Sequence, residues 1–194
     1  MNKLLCLLCL AFYISQEQTY TYPESEDAVK LKHFKVGLDF NSEYEIEIDG
    51  ESVDGDLENG ISIGFELLMP DTKFLIGLEY LFPTEVEDGA FEVSHISFYG
   101  LVPLISSNSD SDFEIFGKLG YSMLDMDVDG ADVDLDTSGG LMYGFQLELS
   151  NFGFSYTIHN GEYEFDLDFY NDYYGGDLPS YDTKTSRFTM SYHL

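Results

Sequence analysis

The sequence predicts an all-β fold, an eight-stranded antiparallel up-and-down barrel that crosses a membrane. Three observations carry that reading. Apolar and polar residues alternate at period two through eight successive runs. The connections between runs are short at one end and mostly longer at the other. Each run is about ten residues, the length a tilted strand needs to cross the hydrocarbon.

The first run sets Phe34, Val36, Leu38 and Phe40 against Lys35, Gly37, Asp39 and Asn41, and its alternation continues through Tyr44, Ile46 and Ile48. The second places Ile61, Ile63, Phe65, Leu67 and Met69 on one face, and the third Phe74, Ile76, Leu78, Tyr80 and Phe82. The fourth, Ile96, Phe98, Val102 and Leu104, is less clean because Tyr99 and Leu101 are also apolar. Phe113 to Met123 is the fifth run, Leu141 to Leu149 the sixth, Phe152 to Ile158 the seventh and Phe188 to Leu194 the eighth. Pro70–Lys73, Ser106–Asp112 and Ser150–Asn151 are the short connections. Segments 49–60, 83–90, 125–138 and 161–184 are the long ones.

Before these runs, Met1-Asn2-Lys3 leads into an unbroken apolar stretch, Leu4 to Ile14. It is too short to span a bilayer as a helix and fits a secretory signal. The expected organisation is a signal over residues 1–18, a flexible lead-in over 19–28, and the barrel over 29–194. Cys6 and Cys9 are the chain's two cysteines and fall inside the signal. The exported chain therefore has no disulfide to support a small core.

The chain carries 37 Asp+Glu against 8 Lys+Arg, a formal charge of -29. That balance argues against nucleic acid as a partner, because phosphate binding needs Lys and Arg. Twenty-five of the 37 acids fall in the four long connections and their flanks. The opposite end carries Lys30, Lys32 and Lys73. The long-loop end is thus an acidic rim. It reads as a solvated loop surface or as a mouth that attracts cations.

Alternation alone does not say which face points outward. A soluble ligand-binding barrel would bury the apolar face. The polar face here is largely Gly, Ser and Thr with scattered charges, which suits a narrow lumen. Aromatics such as Phe40, Tyr80, Phe82, Phe113, Tyr121, Phe152 and Phe188 end the apolar face, as interfacial girdles do. Both features favour the membrane.

Residues 113–123, Phe-Glu-Ile-Phe-Gly-Lys-Leu-Gly-Tyr-Ser-Met, follow Val102-Pro103-Leu104. They resemble the fifth strand of the OmpA/OmpX-like family of small outer-membrane barrels. Ser138 to Phe145 is similar to that family's sixth strand. Phe188–Leu194 resembles its C-terminal assembly signal, with Leu194 where an aromatic is usual. The resemblance implies a Gram-negative outer-membrane location, contact with outer-membrane lipid and lipopolysaccharide, and recognition by the barrel assembly machinery through Phe188–Leu194. It also implies a monomer, and the adhesion or surface recognition that some members provide.

By parity, Lys35, Lys118 and Arg187 point inward together with Asp39, Glu66, Glu79, Glu114 and Glu148. Charges in so narrow a bore must pair or keep water, because unpaired burial is costly. They read as a structural ion-pair network or as a narrow ion path. Asp125, Asp127, Asp129 and Asp136 match the spacing of a calcium loop. Position twelve is Asp rather than Glu and the flanks are strands, so any calcium there is weak, and an acidic hairpin is the competing reading. No other cofactor is expected. His95-Ile96-Ser97 invites comparison with the His-x-Ser pair of lipid A deacylases, but Phe98 follows where those enzymes carry Asn, and both side chains belong to the lumen face. His159 and His193 share that face. Glu43–Ile48 and Tyr163–Phe169 continue the alternation beyond what a bilayer needs, so their edges are open to added strands. Asn171–Tyr181 is rich in Tyr and Gly, a composition of adaptable contact loops. The expected role is non-enzymatic, structural or surface-interacting. The alternative is a small cation-preferring channel.

Overall fold

The structure, a computed structural model, describes residues 29–48, 51–86, 91–106, 113–128, 135–165 and 180–194. Nine strands run through them. These are β1 Lys30–Ile48, β2 Glu51–Leu57, β3 Gly60–Leu68, β4 Leu75–Glu85, β5 Phe91–Ser106, β6 Phe113–Val128, β7 Leu135–Leu149, β8 Phe152–Phe165 and β9 Ser180–His193. Each pairs antiparallel with its neighbour, and β1 also pairs with β9, which closes the sheet. β2 and β3 are two halves of one barrel strand. β2 lies along the far half of β1, from Ser42↔Leu57 to Ile48↔Glu51, and β3 along the near half, from Asp39↔Gly60 to Lys30↔Leu68. The barrel thus has eight strands with the order read from the sequence.

The segment expected as a long connection over 49–60 is therefore mostly strand. Val53 pairs with Ile46 and Gly55 with Tyr44. The other long connections also give up their ends to strands, since β6 runs to Val128 and β8 to Phe165. The short end turns tightly. Ser150 and Asp71 take positive φ values of 53° and 55°, the left-handed conformation that tight turns require.

The faces settle the barrel's environment. Phe98, Leu104 and Leu119 are 58%, 63% and 58% exposed, whereas Glu66, Arg187 and Lys118 are 0%, 1% and 2% exposed. In water each exposed large apolar side chain would forgo about 1.5–3 kcal/mol of burial. In lipid the same face is at home. The barrel is inside-out and spans a membrane. On β6 the outward apolar positions run from Phe113 to Met123. At ~3.3 Å per residue and a tilt of ~40° that is ~25 Å, the height of an outer-membrane apolar band.

Above that band the polarity inverts. On β1 the register shifts between Phe40 and Glu43, where Asn41 takes a φ of 49°. Below this bulge odd residues face the bore, as buried Lys35 and Asp39 do, and Leu38 is exposed. Above it even residues do, so Ser42 is buried while Glu43 and Glu47 are exposed. The uninterrupted parity read through Tyr44 and Ile46 is corrected by this one extra residue, because a one-residue slip sends every later side chain to the other face. A second bulge between Leu81 and Thr84 does the same on β4, where Val86 is buried and Glu85 exposed. On β6 the chemistry switches without a bulge. Ser122 faces in and Met123 out, and then Leu124 is buried and Asp125 exposed. Leu57, Val86 and Val93 close an apolar cluster inside this upper ring, with Tyr44 and Phe91 packed on it. The upper ring is built for water, with an apolar cluster and buried hydroxyl residues such as Ser42, Thr84 and Thr183 inside and acids outside.

Candidate functional site

The lumen holds the chain's densest chemistry. At the short-turn end Lys32 Nζ lies 3.2 Å from both Glu114 Oε2 and Glu148 Oε2. Gln146 Nε2 donates to Glu148 Oε1 and to Glu66 Oε1, each at 3.1 Å. Lys35 Nζ meets Glu66 Oε1 at 2.7 Å and Glu79 Oε2 at 3.3 Å. The Tyr99 hydroxyl accepts from Lys35 at 2.7 Å and donates to Glu66 Oε1 at 3.0 Å. Glu79 then takes Lys118 at 3.4 Å and Arg187 Nη1 at 3.4 Å. Arg187 Nη2 lies 2.8 Å from Asp39 Oδ1, which also accepts a hydrogen bond from Thr189. The guanidinium lies within ion-pair reach of both acids, yet none of its N–H groups is aligned for a hydrogen bond.

The eight charges named from parity all lie in this one chain of contacts, which crosses the bore from Glu114 on β6 to Asp39 on β1. Five carboxylates, Asp39, Glu66, Glu79, Glu114 and Glu148, face four cations, Lys32, Lys35, Lys118 and Arg187. The bore is thus near neutral, and most of the chain's excess of acids falls in sequence at the long connections rather than among the luminal residues. An apolar cluster of Leu75, Tyr99, Leu101, Phe116 and Met142 fills the rest of this lower half. Lys118 Nζ stands 3.9 Å from the centre of the Tyr99 ring, a cation–π contact that joins the two halves.

Tyr99, Gln146 and Lys32 of this network were not singled out from sequence, nor was His33, whose Nδ1 lies 2.9 Å from Glu66 Oε2. Tyr99 and Gln146 share the parity of the named charges, so inward phase alone could have found them. Tyr99 is also why the fourth run looked irregular, since its second apolar face is luminal. Lys32 and His33 both reach the lumen because the register shifts between Leu31 and His33. No residue type marks that bulge in advance.

His95 and Ser97 are buried on the lumen wall. Ser97 shares a hydrogen bond with Ser122 at 3.1 Å, and the His95 ring packs edge-on to His159 at 4.8 Å. A lipid on the outer face cannot reach them. Asp125 and Asp127 lie on β6 and Asp136 on β7. Asp129 lies outside the described residues, as do Phe169 and Asn171.

No protein family matches the chain in sequence, and no curated protein matches it. Solved structures do. Ail, the attachment invasion locus protein of Yersinia pestis, aligns at 11% identity and a TM-score of 0.44, over 84% of this chain and 97% of that one. Ail in complex with the heparin analogue sucrose octasulfate aligns at 11% identity and the same TM-score of 0.44, over 85% and 99%. The likeness is one of overall fold. The transmembrane assignment of this chain rests on its own faces.

Proposed function

We propose that this barrel is a non-enzymatic outer-membrane protein of a Gram-negative cell. In this reading an acidic collar above the bilayer makes surface contacts with basic partners. The polarity inversion above Phe40, Phe82 and Met123 carries the proposal. A barrel that served only to fill the membrane would have no use for an upper ring with its own core. That ring holds Glu43, Glu47, Asp54 and Asp56 exposed on strands rather than on loose loops. Among the described residues, β2 also presents an edge with little pairing on its outer side. Among the described residues it ladders with β1, and meets β4 only near its end, at Leu57↔Val86 and from Glu58 N to Glu85 O at 2.9 Å. An edge of that kind accepts an added strand, and the flanking acids select a basic one. Lipopolysaccharide around the apolar band, assembly through Phe188–Leu194 and a monomeric state belong to the same proposal.

The alternative, a cation-preferring channel, is disfavoured by a bore that is near neutral and crossed by side chains. The test displays the protein on cells and measures retention on polylysine-coated and heparin-coated surfaces. Retention on polylysine that falls with salt, and falls again when residues 171–181 are deleted, supports the proposal. Equal retention on both surfaces, or none on polylysine, overturns it. Cation-selective current steps from the folded barrel in a planar bilayer would favour the channel instead.

A further inference from the structure

Three side chains at the short-turn end of the bore play no part in the collar. We propose that His33 of β1, Glu148 of β7 and His193 of β9 bind a divalent transition metal of the zinc class. One donor atom from each lies within 4.8 Å of the others. The two imidazole rings stand 4.2 Å apart at 32°. Zinc–nitrogen bonds of ~2.0–2.1 Å set tetrahedral donors about 3.3 Å apart, so the three side chains must turn inward when the ion binds.

Four further observations fit a ligand there. His193 is 4% exposed, yet its Nδ1 is buried without a hydrogen-bond partner. A buried unpaired ring nitrogen is costly, and a metal removes that cost. Glu66 takes His33 Nδ1 at 2.9 Å, the kind of carboxylate contact that orients a metal-bound imidazole through its other nitrogen. Gly153 on β8 makes the room. A Cβ there would lie 2.6 Å from His193 Nε2 and 2.5 Å from Ser191 Oγ. Lys32 holds Glu148 Oε2 at 3.2 Å, and Oε1, which accepts from Gln146 Nε2 at 3.1 Å, lies on the His33 side with a second lone pair for a metal.

Two imidazoles and a carboxylate form a set that zinc accepts with a water in the fourth position. Calcium and magnesium prefer all-oxygen sites, so the imidazoles discriminate against them. The placement also gives the metal a task. β1 and β9 are the strands whose pairing closes the barrel, so an ion between His33 and His193 ties that seam from inside. The site is also near the mouth, since the backbone N–H of His193 donates to Asn151 O, in the Ser150–Asn151 turn, at 2.8 Å.

The experiment titrates Co²⁺, then Zn²⁺, into the detergent-refolded barrel. It follows the visible cobalt bands and the temperature at which the compact gel band is lost. The expected result is one tightly bound ion per chain that zinc displaces, an excess of calcium does not, and that raises the loss temperature. His193→Gln and Glu148→Gln weaken binding by about tenfold or more, while His95→Gln does not. Each variant is scored only if it keeps the compact unboiled band. If neither ligand variant folds, histidine NMR of the wild-type barrel decides, with zinc shifts confined to His33 and His193. No stoichiometric binding, unchanged binding in His193→Gln, zinc shifts at other histidines, or displacement by calcium would each overturn the proposal. Displacement by calcium would locate the ion on the acidic rim.

Discussion

Glu79 is the centre of the lumen network, and Glu79→Gln is the sharpest test of whether that network holds the barrel together. Its carboxylate contacts Lys35 at 3.3 Å, Lys118 at 3.4 Å and Arg187 at 3.4 Å. Glutamine keeps the volume and removes the charge. Three buried cations are then left with only Asp39 and Glu66 beside them. At 3.4 Å and an effective dielectric of ~20, each lost attraction is about 5 kcal/mol gross. Relief of the Glu79 desolvation penalty offsets much of the total, and measured losses on breaking one buried pair are about 3–5 kcal/mol. We expect a loss of that size. At a typical urea slope of about 1–3 kcal/mol per molar it lowers the unfolding midpoint by roughly 1 M or more. The assay is urea unfolding of the barrel in detergent, followed by the unboiled gel band and by tyrosine fluorescence, since the chain has 15 Tyr and no Trp. Adding Lys118→Met to Glu79→Gln restores the charge balance and should recover at least half of the loss. A single variant within about 1 kcal/mol of wild type would mean that the charges are solvated rather than packed, as exposed pairs are, and the reading of a plugged lumen would fail.

Other expectations follow from the same geometry. Tyr99→Phe removes one hydroxyl that serves Lys35 and Glu66 and should cost about 1–3 kcal/mol in the same unfolding assay; no change would show that water replaces it. Gly77→Val should abolish the compact unboiled band, because a Cβ at Gly77 would occupy the space of the Tyr99 ring and lie 2.7 Å from its hydroxyl oxygen; a compact band would show that the ring can move aside. Deleting Asn41 removes the extra residue but keeps Ser42 inward and Glu43 outward, because alternation from Asp39 then runs without a break and Glu43 still meets Ser186; yields of folded protein should stay near wild type, and a collapse would show that the upper ring is not set in phase by that single residue. The folded wild-type barrel should give no steady conductance in a planar bilayer.

How much was legible in the chain follows from what each feature depends on. Strand number, order and inward phase are local properties, because the pleat repeats every two residues. Lys35, Asp39, Glu66, Glu79, Glu114, Lys118, Glu148 and Arg187 could therefore be assigned to one wall from parity alone. Their partners could not. Lys35 meets Glu79, and Arg187 meets Asp39, only once tilt and register fix which levels of the bore coincide. Lys32 and His33 entered the lumen through a bulge, and Tyr44 changed face through another. Both depend on how neighbouring strands mate rather than on residue type. The trio of His33, Glu148 and His193 is the extreme case, since its members come from three strands and meet only because the first strand closes on the last. By itself the sequence determined a membrane barrel with a polar bore and an acidic rim, because alternation and composition act residue by residue. Only the closed tertiary structure decided which charges meet, where the faces invert and which histidines share a site, because those depend on distances across the barrel.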